Sequence, residues 1–234
     1  MQMIVGLLGD IHGNHHALQA VLSAARSVDV EKLLVTGDLI GYYFWPERVL
    51  DLLDSWDKVI VRGNHEQMLA DAREHPDSLA QIESRYGSGL RLAMEQLTQM
   101  QLDWLTSLPH PLNVTLGGVD ALVCHGTPWD IDEYVYPDAA GQSLERCGGL
   151  NVRLLVLGHT HYPMVKEVNG VTVVNPGSVG QPRNSIPGAQ WAVWDTARMA
   201  IDLRCEEYDY QQVIAEARAR HPELPYLANV LSRT

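Results

Sequence analysis

Five short polar clusters in this chain carry residue types that hold metal ions. They are Gly9-Asp10-Ile11-His12-Gly13-Asn14, Gly37-Asp38-Leu39-Ile40-Gly41, Gly63-Asn64-His65-Glu66, Cys124-His125-Gly126 and Gly158-His159-Thr160-His161. Carboxylate, imidazole and amide oxygen together suit borderline or hard divalent ions such as Mn, Fe, Co, Ni or Zn. Thiolates are scarce. Cys124, Cys147 and Cys205 are the only cysteines and show no close pairing, which counts against a structural zinc site and fits reduced thiols in a reducing compartment. The clusters offer more ligands than one ion of modest coordination number takes, so two ions are expected. A carboxylate can bridge two metals about 3.5–4 Å apart, and such a pair clamps in-line displacement at phosphorus.

Each cluster directly follows a segment that reads as a strand. Residues 3–8, 32–36, 58–61, 119–124 and 152–157 are short apolar runs, the pattern of buried strands. Residues 14–27 place Leu18, Val21, Leu22 and Ala25 at helical spacing, and Pro46 opens a second helix, a position where proline is tolerated. This βαβαβ rhythm predicts parallel strands in a layered α/β domain. Residues 64–107 read as mostly helical. Further strands are expected at 112–116, 162–168, 171–175, 190–195 and 199–205, with hairpin turns at Gly117-Gly118 and Asn169-Gly170. Helices are expected at 139–147 and 208–220. Two sheets packed face to face with helices outside fit this order. With no repeat, low-complexity tract or linker in view, residues 1–234 are expected to form one domain. In layered α/β folds ligands bind beyond the carboxyl ends of the strands, so five strand ends can deliver their polar residues to one rim.

The ordered set GDIHGN, GDLIG, GNHE, CHG and GHTH resembles the calcineurin-like metallophosphoesterase superfamily, and most closely its small bacterial and archaeal phosphodiesterase-like branch. The resemblance runs from residue 9 to about residue 161 and continues weakly through Asn175-Pro176-Gly177-Ser178-Val179. It implies a two-sheet β-sandwich flanked by helices. It also implies that Asp10, His12 and His161 hold one metal, that Asn64, His125 and His159 hold a second, and that Asp38 bridges them. Manganese is the favoured ion. His65 would sit over the substrate as the catalytic histidine rather than bind metal. The two cations would neutralise phosphate charge and supply a hydroxide from bound water, while His65 would donate a proton to the leaving oxygen or stabilise its charge.

The chain departs from the protein Ser/Thr phosphatases of this superfamily, whose second motif continues as GDxVDRG. Gly41 and Tyr42 stand at the positions of that Asp and Arg, which argues against a protein phosphatase and leaves His65 without a carboxylate partner. Candidate substrate contacts are Arg183, whose guanidinium suits phosphate oxygens, and the aromatic segment Tyr42-Tyr43-Phe44-Trp45. In that segment Tyr42 and Trp45 are candidates to line the cleft mouth and stack on a nucleobase or aromatic leaving group. Arg62 and Glu66 are expected to brace the third loop. His15 and His16 are expected on a helix surface.

Bulk composition bounds the partners. The formal net charge is -12, with 46% hydrophobic and 20% charged residues. This is globular composition with an acidic surface, which disfavours nonspecific nucleic-acid binding. No apolar run approaches a membrane span, and the N-terminal residues read as a first strand rather than a signal peptide, so a cytoplasmic location is expected. The leading expectation is a phosphodiesterase or phosphomonoesterase acting on small molecules. Two alternatives stand beside it: a dinucleoside-polyphosphate or nucleotide hydrolase, and a noncatalytic scaffold with the same fold. Loss of His65 or a ligand would mark the scaffold, and all eight positions are present.

Overall fold

A computed structural model describes residues 2–138 and 142–233. Its first half alternates as the hydrophobic pattern predicts. Strand β1 (Ile4–Leu8) leads to α1 (His15–Ser27), β2 (Lys32–Val35), α2 (Pro46–Asp54) and β3 (Lys58–Ile60). The helix α1 starts where the Asn14 side chain accepts a hydrogen bond from the Ala17 N–H, satisfying a donor that the first helical turn leaves free. Helices α3 (Asn64–Glu74), α4 (Leu79–Tyr86), α5 (Gly89–Gln96) and α6 (Gln99–Ser107) fill the segment expected to be helical. Then come β4 (Leu112–Leu116), β5 (Val119–Val123), α7 (Gln142–Cys147), β6 (Leu154–Val156), β7 (Met164–Val168), β8 (Val171–Asn175), β9 (Ala189–Asp195), β10 (Ala200–Glu206), α8 (Tyr210–Arg220) and α9 (Tyr226–Asn229). Residues 139–141 of the expected helix at 139–147 lie outside the described residues.

Two mixed five-stranded sheets result, ordered β10-β9-β1-β2-β3 and β4-β5-β6-β8-β7. In the first, β1, β2 and β3 run parallel and β9 returns antiparallel to β1; in the second, β5, β6 and β8 run parallel. The two-residue side-chain period sorts each strand. Val5, Leu7, Leu34, Val123, Val156, Val174, Ala192 and Trp194 meet between the sheets. Leu8, Leu33, Val35, Trp191 and Val193 face the helices α1, α2, α3, α5 and α6 on the outer side of the first sheet. Leu122, Cys124, Leu155, Leu157 and Val173 form the outer core of the second sheet.

This register matters for the site. Leu8 pairs with Val35 across β1 and β2, and the loops beyond them stay joined. The His12 N–H donates to the Asp38 carbonyl at 2.8 Å and the Gly13 N–H to the Leu39 carbonyl at 2.8 Å. Within the second sheet, the Gly158 N–H donates to the His125 carbonyl at 2.7 Å, and across the two sheets the ring of His125 donates from Nδ1 to the Thr36 carbonyl at 2.8 Å.

Candidate metal centre

All five clusters arrive at one end of the sandwich. Asp10 and His12 follow β1, Asp38 follows β2 and Asn64 follows β3, while His125 follows β5 and both His159 and His161 follow β6. The first sheet thus contributes the carboxylates, the amide and one imidazole, and the second contributes three imidazoles. Asp10, His12, Asp38, His159 and His161 hold φ between 53° and 66°. Left-handed backbone costs roughly 1–2 kcal/mol per non-glycine residue and is found where surrounding structure fixes it, often at functional sites. Here it folds each tight loop back so that its side chain points inward.

The rings are oriented by main-chain acceptors. His12 donates from Nδ1 to the Ile40 carbonyl at 3.2 Å, and His161 from Nδ1 to the Gln181 carbonyl at 2.6 Å. With the proton fixed on Nδ1, each ring turns a bare Nε2 toward the centre, the arrangement in which histidine ligates metal. The two Nε2 atoms stand 3.0 Å apart. His161 Nε2 is also 3.2 Å from Asp10 Oδ1. The other half repeats the arrangement. His125 Nε2 lies 2.9 Å from Asn64 Oδ1 and 3.1 Å from Nδ1 of His159. Asp38 Oδ2 sits between the halves, 3.6 Å from His12 Nε2 and 3.4 Å from His125 Nε2.

Lone pairs facing one another at these distances repel unless a cation lies among them, so the donor set fits divalent metal. Ligand-sized groups form around Asp10, His12 and His161, around Asp10, Asp38 and His125, and around His12, Asp38 and His65. The electrostatics agree. Burial is the first cause of every shift here, because low dielectric disfavours charge. It pushes Asp10 up to about 6 and Asp38 well above the usual carboxylate range. It pulls His125, His159 and His65 down to about 3, and His12 and His161 well below their usual value. Neutral imidazoles are ready to ligate, and the carboxylates gain most from a nearby cation.

His65 lies beside this cluster, with ring centroids 4.8 Å from His12 and 4.9 Å from Tyr42. Its Nδ1 is enclosed and has no hydrogen-bond partner among the described residues. Gly41 packs against it with φ of 92°, and a Cβ there would fall 2.0 Å from that nitrogen. The missing partner is therefore a packing fact as well as a sequence one. Glu66 braces the loops as expected. Its carboxylate accepts from the Gly63, Asp38 and Leu39 N–H groups at 2.9, 2.8 and 2.8 Å. Arg62 instead reaches the Thr106 carbonyl at 3.3 Å.

A cleft of about 30 Å³ opens over the cluster, lined by Asp38, Tyr42, Asn64, His65, Tyr86, Tyr134, His159, His161 and Arg183. Arg183 is its one permanent cation among the described residues and donates from Nη2 to the Tyr42 hydroxyl and to Gln181 Oε1, each at 3.1 Å. The aromatic segment divides. Tyr42 lines the cleft, but Tyr43 and Phe44 are buried against α8 and α9. Trp45 corrects the expectation that it lines the mouth. It caps α2, its N–H donates to the Gly13 carbonyl, and its ring lies 5.0 Å from both His15 and His16 at the start of α1. Tyr86 and Tyr134 escaped the sequence reading. Tyr134 had a signal in the alternation Glu133-Tyr134-Val135-Tyr136, while Tyr86 ends an ordinary helix and had none.

The profile of the calcineurin-like phosphoesterase superfamily domain matches residues 3–199, a span that holds every one of these groups. The chain belongs to this family. An uncharacterized protein of Methanocaldococcus jannaschii is 26% identical to this chain over 242 residues, covering 95% of this chain and 96% of that protein. The crystal structure of a hypothetical protein from Pyrococcus horikoshii matches the fold with a TM-score of 0.83 at 22% identity, covering 99% of this chain and 98% of that one. That of a metallophosphoesterase from Sphaerobacter thermophilus matches with a TM-score of 0.75 at 25% identity over the same shares.

Proposed function

We propose that this chain is a phosphoesterase that holds two divalent ions, manganese favoured, and hydrolyses phosphodiester or phosphomonoester bonds of small molecules. The observation that carries the proposal is the pair of facing, proton-free ring nitrogens of His12 and His161, repeated in kind by His125, His159 and Asn64 across the Asp38 carboxylate. Asp10, His12 and His161 would hold one ion, Asn64, His125 and His159 the other, and Asp38 would bridge. When bound, the ions supply charge neutralisation and a water acidic enough to act as nucleophile near neutral pH.

The remaining work falls to the chain. Arg183 reaches the cleft with its guanidinium held by Tyr42 and Gln181, which suits it to grip phosphoryl oxygens. His65 has its Nδ1 sealed against Gly41, so Nε2 is the nitrogen left to serve the cleft. A neutral ring protonated there donates a hydrogen bond to the leaving oxygen without carrying a charge. Tyr42 and Tyr86 line the cleft on the flank of His65. The free thiols of Cys124, Cys147 and Cys205 support a reducing, cytoplasmic setting.

The test is metal-stripped protein reconstituted with manganese and screened against mono-, di- and polyphosphate esters, with elemental analysis alongside. Two ions per chain and hydrolysis of at least one ester class are expected, with His65→Ala sharply lowering turnover but keeping the ions. Failure to bind any divalent ion would overturn the whole reading. Full occupancy with no hydrolysis of any ester would leave a binding protein in place of an enzyme.

A further inference from the structure

The cleft over the cluster has room for little more than a phosphoryl group. About 30 Å³ of it is open to the centre of a water molecule, against roughly 10–15 Å³ needed to hold one water. Whatever the phosphate is attached to must therefore cross the rim, and the rim's chemistry selects it. On the His159 side that rim is aromatic. Tyr134 lines the cleft and also lies 48% exposed, with its ring centroid 4.0 Å from that of His159. Tyr136 stacks beside it at 5.6 Å and 11°, 39% exposed. Tyr162 closes the row edge-on to Tyr136 at 5.7 Å. Both tyrosines stand exposed, and Tyr136 continues the aromatic surface from Tyr134.

The row is held in place. Val135 is buried between the two tyrosines while both of their rings stand exposed. The Glu133 carboxylate accepts from the Thr127 hydroxyl at 2.9 Å, from the Trp129 indole N–H at 2.5 Å and from the Ser143 hydroxyl. Arg146 then lies over the Trp129 ring at 3.8 Å. A loop tied at so many points presents its rings without first having to order them, so little affinity is lost on binding.

We infer that Tyr134 and Tyr136 form a stacking face for the organic part of the substrate, and that this site takes phosphate esters bearing a planar aromatic group, either a nucleobase or an aryl alcohol. The inference rests on the phosphoesterase reading for the anchoring of the phosphoryl group, with Arg183 lining the same cleft. It adds the class of substrate, which the metal ligands do not specify.

Phosphonates, which the enzyme does not cleave, separate this inference from turnover. Calorimetry on the manganese-loaded protein would compare phenylphosphonate with methylphosphonate, and the 5′-methylenephosphonate of adenosine with that of ribose. The ring-bearing member of at least one pair is expected to bind roughly tenfold more tightly or better, the scale of one base on one aromatic ring. The pair that shows the larger gain tells aryl ester from nucleobase. Tyr134→Ala and Tyr136→Ala are expected to collapse the ratio toward one, and the matching changes to Phe to keep it, with metal content measured in each. Equal affinities within both pairs, no binding of any phosphonate, or a ratio unmoved by either alanine change would overturn the inference. Metal titration and ester hydrolysis judge the phosphoesterase reading separately.

Discussion

His65 and Gly41 form a contact that leaves neither residue free to change. A Cβ at position 41 would meet His65 Nδ1 at 2.0 Å in a backbone conformation, φ of 92°, that side chains rarely adopt. Gly41→Ala and Gly41→Asp are both expected to cost about 1–3 kcal/mol of stability through backbone strain, seen as a lower denaturation midpoint. Both should also displace His65, so turnover should fall. The aspartate should fail to partner the histidine, because the loop has no room for a carboxylate there. His65→Ala should lower turnover by roughly 10²–10⁴-fold, the usual reach of one proton-transfer group, with bound metal unchanged by elemental analysis. The carboxylates carry a pH signature. In the metal-free site Asp10 is raised to about 6 by burial, so below that pH it is protonated and must release its proton to ligate. Metal affinity should fall as pH drops through about 6, with protons released on binding at pH 5.5 and few at pH 8. Calorimetry in two buffers of different ionisation enthalpy would read this directly.

At the scale of elements, Glu66 joins two loops that the sequence separates by a helix and a strand. From the start of α3 it accepts the N–H groups of Gly63, Asp38 and Leu39, and it is fully buried. Glu66→Ala would leave those donors unpaired. At roughly 1–3 kcal/mol for each buried donor without a partner, a loss of several kcal/mol is expected, along with weaker metal binding, since Asp38 moves with its loop. Glu66→Gln should lose less. Thermal denaturation with and without manganese would rank the two. The elements themselves were legible because β1, β2, β3, β5 and β6 are short apolar runs that end in glycine-containing polar loops, and because α1 and α2 carry clear start signals in Asn14 and Pro46. Those same loops made the seven candidate ligands legible. What was not legible depended on chain brought from far away. Tyr134 reaches His159 across 25 residues of sequence, Arg183 meets Tyr42 across 141, and the return of β9 to the edge of β1 has no local signal. Trp45 was misplaced because the cap that turns it toward His15 and His16 is a contact of two loops, not a property of its own segment. The short α9 spans too few residues for a helical period to show.

Across the whole molecule, the core between the sheets and the site at their end are parts of one interface. Trp194 is fully buried between the sheets. Trp194→Ala should cost about 3–5 kcal/mol, as truncation of a large buried side chain does, measured by denaturant titration. The metal-binding groups straddle the same junction, with Asp10, His12, Asp38 and Asn64 on one sheet and His125, His159 and His161 on the other. Ions held there act as rivets between layers. At a free concentration a hundred times the dissociation constant, one bound ion adds about 2.7 kcal/mol of stability, so a chelator should lower the melting temperature by several degrees and speed amide exchange first at the strand ends that carry the ligands. The trace-metal supply of a medium or a cell compartment then becomes a folding variable for this chain. Scarcity would thin the population of intact molecules as well as silence them, so starved and replete cells should differ in how much of the protein survives proteolysis.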